Sequence, residues 1–160
     1  PMKPGDIIDI NTKKVVGQHG GVMYYTVGQR KGLDIGGIGP FYVIGKDVTK
    51  NELYVTDEEH QEWLYSTSCS IIDVNWLADR KLPLTCDAKF RYRQQDNPVT
   101  VSLREDGTLI ASFPEQIRSV TPGQEAVIYD GDTLVCGGKI DVVYQNDKDL
   151  MKEILDTVNA

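Results

Sequence analysis

The sequence has 160 residues, a formal net charge of −7, 40% hydrophobic and 26% charged residues. This is ordinary for a globular protein with one hydrophobic core or two small ones. No run approaches the roughly 18 apolar residues of a transmembrane helix, and the first ten residues lack the apolar core of a signal peptide. The acidic balance also argues against a protein that coats nucleic acid non-specifically. We therefore expect a cytoplasmic protein.

Residues 1–70 predict a small α+β domain. Residues 5–11 are typical of a short strand and turn, and residues 15–25 of a strand end that runs into a short helix. Two apolar runs, FYVIGK at 41–46 and ELYVT at 52–56, flank a stretch of turn formers and predict a β-hairpin. One or two helical turns are expected over 57–64, with Asp57 or Thr56 as the N-cap.

Residues 71–145 predict an antiparallel β-barrel. Strand-forming segments alternate with Gly and Pro turns over 66–74, 84–93, 99–104, 109–113, 117–120, 126–129 and 134–143. Strands at this spacing favour a small closed or nearly closed barrel. The boundary between the two domains is expected within residues 63–75. Residues 146–160 predict an amphipathic helix that packs on a neighbouring surface or binds a partner, so the expected fold is mainly β.

A glycine-rich segment at residues 19–33, HGGVMYYTVGQRKGL, places Arg30 and Lys31 inside a glycine-bounded turn. Glycine permits backbone conformations that other residues avoid, and a basic pair on such a turn suits an anion or a nucleic-acid backbone. A solvated surface turn is the commoner explanation of such a pair. His19 is expected to be a structural hydrogen-bonding residue rather than a base.

Basic and aromatic residues alternate along one predicted strand, Lys89-Phe90-Arg91-Tyr92-Arg93. Because side chains alternate along a strand, the three cations share one face and the two aromatic rings the other. Neighbouring cations repel one another unless an anion lies across them. Arginine binds phosphate through two parallel hydrogen bonds, and a tyrosine can stack on a base. The alternative is a strand whose cations are simply exposed to solvent while Phe90 and Tyr92 pack in the core.

The basic residues are concentrated in one stretch of an otherwise acidic chain. Residues 81–104 carry five cations against two carboxylates: Lys81, Lys89, Arg91, Arg93 and Arg104 against Asp87 and Asp96. A local basic strip on an acidic protein is compatible with a specific, limited contact to RNA.

The sequence contains none of the common catalytic motifs. It has no GxxxxGK[ST] or SGG-type phosphate loop, no HExxH motif and no serine with a nearby histidine. Cys69, Cys86 and Cys136 are widely spaced and form no CxxC pair, so we expect buried free thiols and no metal site. The residues alone therefore predict a binding module rather than an enzyme.

Three motifs in order resemble the C-terminal two-thirds of the tRNA-specific 2-thiouridylase (MnmA) family. They are HGGVMYYTVGQRKGL at 19–33, AKFRYRQ at 88–94 and VTPGQEAVIYDGDTLVCGGKI at 120–140, and the resemblance extends over residues 5–144. It implies a small central domain and a C-terminal barrel similar to a domain of translation elongation factors. Full-length members also have an N-terminal ATP-pyrophosphatase domain with an SGG-type loop and two catalytic cysteines.

The resemblance implies that this chain is a tRNA-recognition part, inactive by itself, of an ATP-dependent enzyme that installs sulfur at uridine 34 of tRNA. It implies no cofactor in this chain, and ATP with Mg²⁺ in the full-length enzyme. The implied partners are the tRNA anticodon arm, the catalytic domain, and a sulfur-carrier protein or cysteine desulfurase. The implied tRNA contacts are Arg91, Tyr92 and Gln124, with further tRNA or interdomain contacts at Arg30, Lys31, Lys89 and Arg93.

Two features depart from the family pattern. Cys136-Gly137-Gly138 stands where the family often has three glycines, which puts in question how tightly the barrel end turns there. The amphipathic tail after Tyr144 extends past the end of many members.

Two other functions remain open. One is a protein-binding barrel that docks another domain or a translation factor, which the acidic surface and the amphipathic tail favour. The other is an independent enzyme with a cysteine nucleophile, which would require a reactive thiol near neutral pH.

Overall fold

A computed structural model describes residues 3–37, 39–90 and 95–160. Most of these residues form strands. The strands are β1 (Gly5–Asp9), β2 (Val15–His19), β3 (Phe41–Asp47), β4 (Glu52–Asp57), β5 (Tyr65–Trp76), β6 (Leu84–Lys89), β7 (Asn97–Leu103), β8 (Leu109–Arg118), β9 (Glu125–Asp130), β10 (Thr133–Gln145) and β11 (Lys148–Asp149). Short 3₁₀ helices cover Val22–Tyr24 and Glu58–Leu64, and one α-helix, α1, covers Leu150–Val158. None of the helices in this described part is long and apolar enough to cross a membrane.

Residue contacts divide the chain into two compact units. The N-terminal unit contains the residues up to Tyr65 together with Met151–Ala160, and the barrel unit is Ser66–Leu150. The division falls inside the range 63–75 expected from the sequence, ahead of the boundary drawn at residue 70. The terminal helix, which the sequence analysis set apart at 146–160, shares its contacts with the N-terminal unit.

The N-terminal unit is built on a four-stranded sheet with the order β2-β1-β4-β3. β1 pairs antiparallel with β2 and parallel with β4. The predicted hairpin at 41–56 is confirmed, because β3 and β4 pair antiparallel from Phe41 opposite Asp57 to Asp47 opposite Glu52. The core on this sheet is a cluster of five buried aliphatic side chains: Ile7, Val22, Val43, Leu53 and Val55.

The expected helical turns at 57–64 are also confirmed, as the 3₁₀ helix Glu58–Leu64. The Asp57 carboxylate accepts a hydrogen bond of 3.0 Å from the Glu59 backbone N–H. This satisfies one of the N–H groups that a helix leaves unpaired in its first turn.

Helix α1 packs against β3 through its apolar stripe. Ile154 is 1% exposed, and a Cβ atom built at Gly45 would lie 2.8 Å from the Met151 sulfur. The lack of a side chain at Gly45 therefore lets the helix approach the strand closely. Beyond the helix, Lys50 Nζ donates to the Asn159 side-chain oxygen at 2.8 Å.

The barrel unit is a closed ring of six antiparallel strands, as the sequence predicted. The sheet has the order β10-β5-β8-β7-β6-β9, and an additional pairing of β9 with β10 completes the ring. β11 adds two residues at the end of β10. The interior is filled by small and aliphatic side chains with the aromatic pair Phe90 and Phe113, whose rings meet edge-to-face at 5.2 Å.

The connection at residues 119–124, the β8–β9 crossover, passes across one end of the barrel. β8 and β9 lie three positions apart in either direction around the ring, so a chain that joins them has to cross its end. Ser119, Val120 and Thr121 are buried there. The separate strand expected at 117–120 is wrong, because β8 continues unbroken to Arg118 and includes Ile117.

We expect the two adjacent glycines of β10 to respond differently to substitution. A Cβ atom at Gly138 would lie 2.6 Å from Ile71 Cγ2 and 2.8 Å from the Ile72 carbonyl oxygen, whereas the nearest atom at Gly137 is 3.5 Å away. Gly138→Ala should lower the free energy of unfolding by about 1–3 kcal/mol because it overpacks the barrel. Gly137→Ala is the matched control and should change it far less. Denaturant unfolding of the two variants checks this, and equal losses would contradict it.

Candidate nucleic-acid interface

Lys89 and Gln124 lie at the same end of the barrel. Lys89 ends β6 and pairs with Val127 of the antiparallel strand β9. Gln124 immediately precedes β9, so the end of one strand and the start of the other lie side by side. We call this end, with Lys89, the β8–β9 crossover and Gln124, the polar end.

The predicted contact residues Arg91, Tyr92 and Arg93 lie outside the described residues. The prediction rested on basic and aromatic side chains alternating between the two faces of the strand. This alternation can be tested on the two preceding residues, Lys89 and Phe90. Phe90 is fully buried, and the side chain of Lys89 is 44% exposed. At these two positions the aromatic ring faces the core and the cation faces outward, as expected.

The ammonium of Lys89 has two neighbours, and neither neutralises it fully. Its Nζ lies 3.7 Å from a carboxylate oxygen of Asp96 and 5.6 Å from the ring centroid of Tyr129. The carboxylate is 51% exposed, and a solvent-exposed ion pair at such a distance is weak. Lys89 can therefore turn to a stronger anion, such as a phosphate, at small cost.

Gln124 is positioned by the backbone of the crossover. Its N–H donates to the Thr121 carbonyl at 3.3 Å, its carbonyl accepts from Ile140 N–H at 2.9 Å, and Gly123 N–H donates to the Ile140 carbonyl at 2.7 Å. Gly123 has a φ of 91°, a conformation that glycine adopts without strain. The turn is thus fixed against β10, with Gln124 half-buried at its end.

The basic strip expected from the sequence is split between the two ends of the barrel. β6 and β7 pair antiparallel, with Leu84 opposite Val101. Lys81, before β6, therefore lies at the end opposite Lys89. The backbone of Arg104, after β7, does so too, but its guanidinium donates a hydrogen bond of 3.1 Å to the hydroxyl of Tyr144, near the end of β10. Lys89 is the described cation of the strip whose backbone pairs with β9 beside Gln124.

Arg30 and Lys31 are exposed on a rigid turn of the N-terminal unit. The side chain of Gln29 accepts from Thr26 N–H at 3.2 Å and donates to the Lys31 carbonyl at 3.0 Å. The backbone of Gln29 also accepts a hydrogen bond of 2.9 Å from Val43 N–H in β3. The turn holds its two cations outward, as an anion contact or a solvated turn would both require.

His19 is a structural residue, as predicted. It is 2% exposed, Gly21 N–H donates to its Nδ1 at 3.0 Å, and its Nε2 lies 2.9 Å from the Asn51 carbonyl. Because Nδ1 accepts, Nε2 carries the proton and donates. Both ring nitrogens are thus engaged inside the unit.

The end of the barrel opposite the polar end carries an open groove of about 820 Å³. Its apolar lining includes Trp76, Leu77 and Leu103, which are 42%, 57% and 51% exposed. Exposed apolar clusters of this kind are typical of contact surfaces. The barrel therefore has a polar end with a described cation and an apolar end with a groove.

Comparison with known proteins agrees with this architecture. The family profile described as "tRNA methyl transferase PRC-barrel domain" matches residues 1–57. The profile described as "Aminomethyltransferase beta-barrel domain" matches residues 66–140. The tRNA-specific 2-thiouridylase MnmA of Listeria monocytogenes serotype 4b (strain CLIP80459) is 49% identical over 149 residues, which are 91% of this chain and 40% of that protein.

A second relative is the tRNA-specific 2-thiouridylase MnmA 2 of Geobacillus kaustophilus, which is 50% identical over 153 residues, or 94% of this chain and 41% of that protein. The chain belongs to the tRNA-specific 2-thiouridylase (MnmA) family. It matches the C-terminal region of these relatives and spans about two-fifths of their length. The resemblance carried by the three sequence motifs is therefore confirmed, but the chain corresponds to about two-fifths of these relatives and not to the C-terminal two-thirds expected from the sequence.

The structure also has polar groups that could not be predicted from the sequence. Ser119 Oγ and Gln124 Oε1 are buried side-chain atoms without a hydrogen-bond partner, and both belong to the β8–β9 crossover. A serine after a strand is common, so nothing in the sequence distinguished Ser119. Gln124 was expected from the resemblance alone.

The three thiols of the chain are buried and free. Burial raises the pKa of Cys69 to about 12, of Cys86 to about 11 and of Cys136 to about 11, and nearby Asp130 contributes to the shift at Cys86. The thiolate is the nucleophilic form, and near neutral pH it is a very small fraction at each position. The geometry therefore disfavours a cysteine nucleophile among these three.

We expect all three thiols to react slowly with iodoacetamide at neutral pH in the folded chain. Labelling should accelerate as the pH approaches the raised pKa values, and it should be fast at neutral pH in denaturant, where the thiols regain ordinary pKa values. Mass spectrometry of quenched time points measures this. Rapid labelling of one cysteine in the folded chain at neutral pH would contradict the assignment and revive the cysteine-enzyme hypothesis.

Proposed function

We propose that this chain is the tRNA-recognition part of an enzyme that thiolates uridine 34 in the anticodon of tRNA. The observation that carries the proposal is the polar end of the barrel. There a lightly paired cation, Lys89 of the family motif AKFRYRQ, lies beside the turn of Gln124 in the motif TPGQ. Membership of the 2-thiouridylase family supports a tRNA ligand for this surface.

Each of the proposed contact residues has a task. Lys89 and Arg91 bind phosphates of the anticodon arm, because Lys supplies a mobile point charge and Arg a two-point hydrogen-bonding fork. Tyr92 packs on a ribose or a base, and Gln124 donates a hydrogen bond to the RNA backbone. Arg30, Lys31 and Arg93 extend the contact to tRNA or to the catalytic domain. The barrel would then hold the arm while the target base is flipped into a distant site.

The sulfur transfer is proposed to take place outside the residues described here. ATP with Mg²⁺ would supply activation of the C2 oxygen of the uridine, and a persulfide, charged by a sulfur-carrier protein or cysteine desulfurase, would supply the sulfur. The present residues do not fit an ATP site: the sequence has no phosphate loop, and in its described part no three His, Cys, Asp or Glu side chains converge as metal ligands. We therefore assign no chemical step to them and propose that the chain alone is inactive.

A protein-docking barrel is the second candidate function, and the apolar groove at Trp76, Leu77 and Leu103 favours it. The amphipathic tail no longer does, because Ile154 is buried within the N-terminal unit. The two candidates differ in their response to salt. Binding to tRNA should weaken linearly on a log–log salt plot, whereas docking through an apolar groove should be far less sensitive to salt.

We expect Lys89→Met to weaken tRNA binding severalfold and to reduce the salt slope by about 1, because one phosphate contact is lost. Lys81→Met is the matched control, since it removes the same charge from the opposite end of the barrel. It should leave both the affinity and the slope close to those of the unmodified chain. Fluorescence anisotropy with a labelled tRNA over a salt series measures both quantities. Equal effects of the two variants would show that the polar end is not the contact surface.

Arg91→Ala should give a larger loss than Lys89→Met, because it removes two parallel hydrogen bonds together with the charge. The loss should be similar for different tRNA sequences, since phosphate contacts carry no sequence information. The same anisotropy titration, repeated with two tRNAs, tests this. If both the affinity and the salt slope are unchanged by Arg91→Ala, the assignment of Arg91 is wrong. If the chain shows no salt-dependent tRNA binding at all, the docking function is favoured instead.

A further inference from the structure

The β8–β9 crossover holds two buried oxygens that lack hydrogen bonds. They are Ser119 Oγ and Gln124 Oε1, and over residues 3–37, 39–90 and 95–160 no other buried side-chain nitrogen or oxygen is without a partner. Native proteins retain few such atoms, because each one has given up its hydrogen bonds to water. The occurrence of both within one six-residue connection calls for a common explanation.

The backbone of the crossover leaves little room for rearrangement. Gln124 and Gly123 are hydrogen-bonded to Ile140 of β10, and the Thr121 hydroxyl donates to the Ser119 carbonyl at 3.0 Å. Ser119 is 2% exposed and has a φ of 64°, in the left-handed region that costs a serine energy. The groups that remain unsatisfied are therefore side-chain groups on a fixed backbone.

The two oxygens without hydrogen bonds, Ser119 Oγ and Gln124 Oε1, are chemically complementary. A serine hydroxyl can donate a hydrogen bond, whereas a carboxamide oxygen is an acceptor and cannot donate. The Gln124 oxygen is inaccessible to solvent although the residue as a whole is half-buried. A donor is therefore needed on the inner side of the Gln124 amide, and the same connection supplies an unused one.

We propose that Ser119 is the positioning residue for Gln124 during tRNA binding. When RNA engages the crossover, the Ser119 hydroxyl donates to Gln124 Oε1, directly or through one bridging water molecule. This holds the amide with its Nε2 group outward. Phosphate and most backbone oxygens of RNA are acceptors, so an amide locked in this orientation presents the matching donor. The inference rests on the proposed function, in which Gln124 contacts tRNA.

This role makes a prediction that an ordinary structural serine would not share. In the free chain the Ser119 hydroxyl has no partner, so its removal takes no hydrogen bond from the folded state. In the tRNA complex the hydroxyl is used, so its removal weakens binding. Stability and affinity should therefore respond differently to the same substitution.

The experiment is a double-mutant cycle in the full 160-residue chain, with tRNA affinity measured by fluorescence anisotropy at low and at physiological salt. We expect Ser119→Ala to weaken binding about fivefold, within the range that one net hydrogen bond carries. Gln124→Ala should weaken it at least as much, and the double variant should be no weaker than Gln124→Ala alone. The melting temperature of Ser119→Ala should not fall below that of the unmodified chain.

Two further variants serve as checks. Ser119→Gly also removes the hydroxyl, and glycine adopts a φ of 64° freely, so it provides a folded variant if alanine is not tolerated. It should weaken binding as Ser119→Ala does. Ser112→Ala removes an exposed serine from β8 and should bind tRNA like the unmodified chain.

Different failures have different meanings. If Gln124→Ala weakens binding and both Ser119 variants do not, the positioning role is wrong and the tRNA contact of Gln124 stands. If the two losses multiply in the double variant, the residues act independently and the positioning role is also wrong. If Gln124→Ala itself has no effect, the contact assigned to Gln124 is wrong, and the role of Ser119 is overturned with it.

Discussion

Closure of the six-strand ring is the constraint on which the rest of the barrel depends. β9 hydrogen-bonds to β6 on one side and to β10 on the other, so the ring has no open edge at which another chain could add a strand. Closure also places β8 and β9 on opposite sides of the ring. The six residues between them have to cross the barrel end, and this crossing buries Ser119 and fixes Gln124. The candidate interface is thus a direct consequence of the topology.

The same closure explains why the two ends of the barrel differ. In an antiparallel ring, residues that follow one strand meet those that precede its neighbour, whatever their distance in the sequence. Lys89 and Gln124 meet in this way at the polar end, and Trp76, Leu103 and Leu134 lie at the ends of strands on the opposite side. The net charge of −7 is a sum over the whole chain and does not report the local charge at either end of the barrel. An RNA-binding surface on an acidic protein needs only a local arrangement of this kind, since screening limits repulsion from distant carboxylates to about a Debye length.

Local features could be predicted from the sequence, and pairing between distant segments could not. The hairpin of β3 and β4 and the Asp57 cap depend on neighbouring residues, so propensity and turn chemistry were sufficient. The separate strand expected at 117–120 was wrong, because β8 runs without interruption from Leu109 through Pro114 to Arg118. The basic strip at 81–104 appeared continuous because its cations are close in sequence, although Lys81 precedes β6 and Lys89 ends it, so these two lie at opposite ends of the barrel. Unsatisfied atoms such as Ser119 Oγ arise only from the folded packing, so no sequence pattern reports them.

The departure at Cys136-Gly137-Gly138 illustrates how the fold constrains each position separately. Cys136 is 1% exposed and its thiol is accommodated in the barrel interior, so a side chain at this position fills space that a glycine would leave empty. Gly138 is also buried, but Ile71 and the Ile72 carbonyl of β5 occupy the place of its Cβ atom. Close approach of β10 to β5 therefore requires glycine at the third position and not at the first. Residues 136–138 lie within β10 and not in a turn, so the cysteine in place of a glycine affects the packing of the barrel interior and not the tightness of a turn.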